Sequence, residues 1–162
     1  MLPKVVTDAA IEAELPGAVC WATRHRIAMD TSCVKNQIIR VELIQEGENE
    51  KFFLQGNFED YKALPPIWDW RDETWLVSGE PQLSPQPENN PFGSMFIRHE
   101  DSSVICAPFN RLAYGAHDGP HSDWKEPAQW LTTGAGHIHA ITIGDMLQAI
   151  LRDFTFTKGR MA

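Results

Sequence analysis

The sequence predicts an α+β domain in which a mainly antiparallel β-meander is flanked by helices. Three features predict it: an alternating segment at residues 38–44, a second strand-like segment after a polar turn, and an amphipathic helix at residues 142–154. At 162 residues, 43% of them hydrophobic, the chain can bury roughly 70% of its unfolded surface. We therefore expect one domain over residues 1–162.

The N-terminal part of the chain carries weaker signals. Thr7 and Asp8 can cap a short helix over residues 9–15, which is expected to end near Pro16 because proline interrupts a helix interior. Residues 24–29 are compatible with a first strand.

The clearest strands form a hairpin. Residues 38–44 alternate between two faces, which predicts a strand buried on at least one of them. After the polar turn of residues 45–50, residues 51–57 are predicted to return beside that strand. Residues 67–70 follow an extended Pro65-Pro66 pair and predict the next strand of the meander.

The second half of the chain alternates short extended segments with loops. Residues 78–91 hold four prolines among polar residues and are expected to form an exposed loop. Residues 95–97 and 104–106 predict two more short strands. The final helix over residues 142–154 has apolar side chains on one face, with Thr142 placed to open a capping box, and should pack on the sheet.

Composition narrows the classes of function. A formal net charge of −8, with no basic run, opposes binding to nucleic acid. The sequence has no apolar run near the ~20 residues of a membrane span, and its first residues lack the apolar core of a signal peptide. We expect a cytoplasmic protein with protein partners and no nucleic acid or membrane partner.

The cysteines are the first candidates for chemistry. Cys20, Cys33 and Cys106 are odd in number and lack CxxC spacing, so neither a disulfide framework nor a zinc ribbon is indicated. Cys106 ends an apolar, β-branched run where the chain turns polar, so its thiol can be exposed and reactive. The alternative is an inert core cysteine, and Cys20 and Cys33 are expected to be structural.

A histidine-rich stretch follows Cys106. Imidazoles and carboxylates are ligands that zinc and other divalent ions accept, so these side chains could hold a metal. However, Gly119-Pro120 interrupts any helix that would align the first two histidines. The alternative is that they form local hydrogen bonds or flank Cys106. The residues concerned are His117, Asp118, His121, His137 and His139.

Residues 38–154 together resemble the ubiquitin-conjugating enzyme superfamily, particularly its divergent bacterial members. In that family a Phe-Phe strand leads through a tyrosine to Pro-Pro, a histidine-containing turn precedes the acceptor cysteine, and a tryptophan precedes a helix that opens Thr-Ile. The corresponding residues here are Phe52-Phe53-Leu54, Tyr61, Pro65-Pro66, His99, Val104-Ile105-Cys106, Trp124 and Thr142-Ile143.

The resemblance implies a ubiquitin-conjugating-enzyme-like fold and thioester transfer without a cofactor. Cys106 would accept a ubiquitin-like modifier from an activating enzyme and pass it to a nucleophile on a target protein. Family context further implies a bacterial conjugation pathway with a possible role in antiviral defence.

The resemblance also implies candidates for the supporting roles. The family's His-Pro-Asn turn supplies an asparagine to the oxyanion, but the turn at His99 lacks it, so Asn110 is expected to substitute. His117, Asp118 or His121 would remove the proton of the attacking amine. The alternatives are an inactive binding module of the same fold and a metal-dependent hydrolase that uses His117, His121, His137 and His139.

Overall fold

The computed structural model describes residues 1–115 and 123–162 and has a mixed α+β architecture. Four strands form an antiparallel sheet in the order β1-β2-β3-β4, and two smaller antiparallel pairs are β5 with β8 and β6 with β7. The elements are α1 (Lys4–Arg24), β1 (Ala28–Asp30), β2 (Ile38–Ile44), β3 (Lys51–Asn57), β4 (Ile67–Arg71), β5 (Pro85–Pro87), β6 (Phe96–His99), β7 (Ser102–Ile105), α2 (Ile143–Phe154) and β8 (Thr157–Arg160).

The predicted central hairpin is confirmed. Strand β2 pairs with β3 over its whole length, from Ile38 opposite Asn57 to Ile44 opposite Lys51. Alternate residues of β2 are buried, as the period-2 pattern requires of a strand with one face on a core. The third predicted strand is also present as β4, antiparallel to β3.

Helix α2 forms and packs as predicted. The hydroxyl of Thr142 accepts a hydrogen bond from the backbone N–H of Asp145 at 3.2 Å, which caps the first turn. The buried face of the helix meets the sheet through aromatic contacts, with Phe154 5.6 Å from Phe52 and 6.1 Å from Trp70 between ring centroids.

Helix α1 is longer than predicted. The expected end near Pro16 is wrong, since the helix runs to Arg24 with Pro16 inside it. Its second half packs on α2, and the indole of Trp21 donates to the side chain of Gln148 at 2.8 Å. Burial of Trp21 and its neighbours offsets the hydrogen bond that proline removes.

The proline-rich segment is not the exposed loop that was predicted. Pro81, Ser84 and Pro85 are buried, and β5 pairs with the unpredicted strand β8. The buried amide of Gln45 secures β8 through Thr157 and both backbone groups of Gly159, at 2.8–3.1 Å. Strands β5 and β8 are far apart in the sequence and do not alternate between apolar and polar residues, so no local pattern indicates that they pair.

Within residues 1–115 and 123–162, neither α-helix is both long enough and apolar enough to cross a membrane.

Candidate active site around Cys106

Cys106 lies in a loop that is otherwise buried. Strand β7 ends at Ile105, and we call residues 105–110 the Cys106 loop. Cys106 is half-buried, whereas the other five residues of this loop are all buried. Ala107, Phe109 and Asn110 are each 0% exposed. The fold therefore leaves Cys106 partly exposed on a segment that is anchored on both sides.

Backbone hydrogen bonds define the path of the Cys106 loop. The N–H of Cys106 donates to the carbonyl of Met95 at 2.7 Å, which places Met95 opposite it at the base of the β6–β7 hairpin. Ala107 donates to Ile105 at 3.1 Å, and Asn110 donates to Ala107 at 2.9 Å, which closes a turn. Defined hydrogen bonds therefore hold the backbone that carries the Cys106 thiol.

The side chain of Asn110 is committed to the backbone around it. Its Oδ1 accepts from the N–H of Trp68 at 2.9 Å, and its Nδ2 donates to the carbonyls of Trp68 at 3.0 Å and Ile105 at 2.8 Å. Both amide hydrogens are therefore used. This geometry does not support the expected oxyanion role for Asn110 and gives it a structural role instead.

A second group of residues packs against Pro108 of the loop. The Tyr114 hydroxyl donates to the carbonyl of Pro108 at 2.8 Å, and the Tyr114 ring lies 5.3 Å from that of Trp124. Gly134 has a φ of +82°, and a Cβ there would lie 2.8 Å from Cγ of Pro108. The close approach requires glycine at this position.

Burial governs the electrostatics of the thiol. Desolvation raises the pKa of Cys106 above its ordinary value, so the neutral thiol predominates at neutral pH. Burial also raises the pKa of Tyr114 to about 12, so its phenol stays protonated. A base or a bound partner that stabilises the thiolate would favour nucleophilic chemistry at Cys106.

The structure separates His99 from Cys106. His99 pairs with Ser102 at the tip of the β6–β7 hairpin, whereas Cys106 follows at its base. Four residues at about 3.3 Å each put them roughly 13 Å apart along the strand.

Most of the remaining candidate site residues lie outside the part of the chain that the structure describes. His117, Asp118 and His121 lie outside the described residues, as does the side chain of His137. Nδ1 of His139 lies 3.0 Å from the carbonyl oxygen of Thr133, which can only accept, so Nδ1 carries the proton in this bond. Over residues 1–115 and 123–162, no three His, Cys, Asp or Glu residues are grouped to hold a metal ion.

The two other cysteines occupy different settings. Cys20 is exposed on α1, with its sulfur 3.9 Å from the Arg24 guanidinium. Cys33 is half-buried, with its sulfur 3.8 Å from the guanidinium of Arg40.

Two further residues, Asp153 and Trp68, shape the site and were not predicted from the sequence. Asp153 is 1% exposed on α2, and its carboxylate accepts from the N–H of Met95 at 2.8 Å. Trp68 of β4 supplies the backbone groups that Asn110 binds. A carboxylate on the apolar face of α2, beside Phe154, was the available sign of a buried polar contact.

No family model, curated protein or solved structure matches the chain. Function is therefore inferred from the geometry of the Cys106 loop and from the family resemblance of residues 38–154.

Proposed function

We propose that this protein is a ubiquitin-like-protein conjugating enzyme with a ubiquitin-conjugating-enzyme-like fold, in which Cys106 carries the modifier as a thioester. The supporting observation is that Cys106 is the accessible residue of a loop whose other five residues are buried. A carrier thiol must be reachable by two large partners in turn, and its backbone must keep one position. The partial exposure of Cys106 and the anchored backbone of its loop support this proposal.

The proposed reaction has two displacements at one carbonyl carbon. The Cys106 thiolate attacks the thioester that joins the modifier to the activating enzyme, a new C–S bond forms, and the activating enzyme's thiolate leaves. An amine of the target protein then attacks the same carbon, Cys106 leaves as a thiolate, and the amine loses a proton to a base. Neither step requires a cofactor in this protein.

The base in this proposal comes from the segment that follows the loop. His117, Asp118 and His121 are the candidates; in the described part of the chain, Tyr114 before them bonds to Pro108 of the loop, and its ring lies 5.3 Å from that of Trp124 after them. A base there would also offset the effect of burial on the Cys106 thiol.

The test is to incubate the purified protein with ATP, a bacterial ubiquitin-like-protein activating enzyme and the modifier that this enzyme charges. We expect an adduct on the wild type that a thiol reductant removes. Cys106→Ala should form none, whereas Cys106→Ser should form an adduct that resists the reductant, because an oxygen ester is not cleaved by thiols. Cys20→Ala and Cys33→Ala are the matched controls and should form the wild-type adduct.

An absence of adduct, with the activating enzyme shown to be charged, would contradict the proposal. It would favour an inactive binding module of the same fold. Two observations favour that second candidate: burial raises the pKa of Cys106, and the amide of Asn110 has no free hydrogen for an oxyanion. Such a module would bind the modifier equally well with Cys106→Ala, which isothermal titration calorimetry would measure.

A further inference from the structure

Asn110 bridges two strands that do not pair with each other. Strand β4 is the last strand of the four-stranded sheet, and β7 belongs to the separate β6–β7 hairpin. The Asn110 amide bonds to the N–H and the C=O of Trp68 on β4, as a residue of a neighbouring strand would. Its second amide hydrogen reaches the carbonyl of Ile105, the last residue of β7.

These bonds enclose Cys106. The bond from Asn110 to Ile105 closes the Cys106 loop on itself, since the two residues are its ends. The Oδ1 atom also accepts from the N–H of Leu112 at 3.4 Å, and Arg111 donates its N–H to Pro66 at 2.9 Å. One buried amide thus holds both ends of the loop and docks them on β4.

We infer that Asn110 is the positioning residue for Cys106: its amide takes the place of a strand between β4 and β7 and sets how far the thiol is exposed. The consequence for modifier transfer rests on the proposed function, whereas the consequence for thiol exposure does not. Asn110 acts through the backbone and does not touch a substrate in this role.

Removing the amide should loosen the loop at the residue before Cys106. Asn110→Ala leaves the N–H and C=O of Trp68 without partners, and buried backbone groups without partners draw in water. Asn110→Asp keeps an acceptor for Trp68 but points a carboxylate at the carbonyls of Trp68 and Ile105, so it also opens that side. In both variants the thiol gains solvent, which favours the thiolate, but the added carboxylate of Asn110→Asp opposes that effect.

The experiment measures alkylation of Cys106 by iodoacetamide as a function of pH. Cys20→Ser and Cys33→Ser form the background, which leaves Cys106 as the sole thiol of the chain. The matched control is Gln45→Ala, which removes another buried amide with two backbone hydrogen bonds, at the β2–β3 turn. Gln45→Ala should lower stability without changing the alkylation profile.

We expect Asn110→Ala to alkylate about three- to tenfold faster at neutral pH, as a fall of about 0.5–1 unit in the thiol pKa implies, and Asn110→Asp to alkylate more slowly than Asn110→Ala because its carboxylate disfavours the thiolate. The alkylation midpoint of Asn110→Ala should move to lower pH by the same amount, while transfer of the modifier slows. A folded Asn110→Ala protein with the wild-type rate and midpoint would overturn the inference.

A measurement on the wild type covers the case in which both variants unfold. The side-chain amide protons of Asn110 should exchange with solvent slowly, because all their acceptors are buried backbone carbonyls. Exchange as fast as that of an exposed asparagine would also overturn the inference. Faster alkylation of Asn110→Ala without any thioester on the wild type would instead retain the positioning role and reject the proposed function.

Discussion

The carboxylate of Asp153 accepts the backbone N–H of Met95 at 2.8 Å. The carbonyl of the same Met95 accepts the N–H of Cys106 at 2.7 Å. Helix α2 therefore supports Met95, the residue that lies opposite Cys106. Asp153 also accepts from the amide of Asn90 at 3.2 Å, which fixes the approach to β6. One buried carboxylate of α2 thus organises the base of the hairpin that delivers Cys106.

Asp153→Ala should therefore destabilise the protein. It leaves the buried N–H of Met95 without an acceptor, and such a loss costs about 1–3 kcal/mol. Urea unfolding followed by circular dichroism measures the change. The control is Asp101→Ala at the exposed hairpin tip, which should stay within about 0.5 kcal/mol of the wild type. Equal effects of the two variants would contradict the assigned role.

Glu14, which is partly buried, provides a second anchor, between α1 and α2. Its carboxylate accepts from the Tyr61 hydroxyl at 2.7 Å, from Lys62 at 2.6 Å and from the N–H of Ile143 at 2.8 Å. Glu14→Ala should lower the free energy of unfolding by about 2–3 kcal/mol, and Glu14→Gln by less, because the amide keeps one acceptor oxygen. Glu12→Ala, on an exposed position of the same helix, is the control in chemical denaturation. A loss no larger than that of Glu12→Ala would refute the anchor.

Two glycine-to-alanine variants should have opposite effects. A Cβ at Gly56 would lie 2.7 Å from the Phe58 ring and 2.8 Å from the Trp68 ring, so Gly56→Ala should cost about 1–3 kcal/mol. Gly17 lies inside α1 with nothing within 4 Å of such a Cβ, so Gly17→Ala should stabilise by about 0.5–1 kcal/mol. Differential scanning calorimetry would show one melting temperature falling and the other rising. Shifts of the same sign would contradict this packing.

Both tyrosines of the chain should resist ionisation in the folded state. Burial raises the pKa of Tyr114 to about 12, and burial followed by the Glu14 hydrogen bond raises that of Tyr61 further. Since an unfolded tyrosine titrates near pH 10, the unfolded chain releases these protons first, and their contribution to stability falls as pH rises above about 10.

Near-ultraviolet absorbance of phenolate against pH measures this resistance. We expect little phenolate at pH 11 while circular dichroism shows the protein folded. Tyr114→Phe should reduce the loss of stability between about pH 10 and pH 12. A midpoint near pH 10 in the folded wild type would show that these phenols are exposed to solvent.

Local patterns along the chain predicted the elements whose signal is local. The alternation of residues 38–44 and the apolar face of residues 142–154 correspond to β2 and α2, because each strand or helix imposes its own period on the side chains that it buries. The position of Cys106 at the end of a strand was likewise predicted from the apolar run before it.

Tertiary contacts decided the rest. Helix α1 continues through Pro16 because Trp21 packs beyond it, and β8 exists because β5 and Gln45 supply its partners from distant parts of the chain. The hydrogen bonds of Asn110 could not be predicted, since an asparagine near a cysteine has the same sequence signature whether its amide faces a substrate or the backbone of β4. Sequence by itself determined the central hairpin, the last helix and the candidate thiol. Only the folded structure decided which polar groups hold that thiol in place, because these bonds join residues 5 to 58 positions apart.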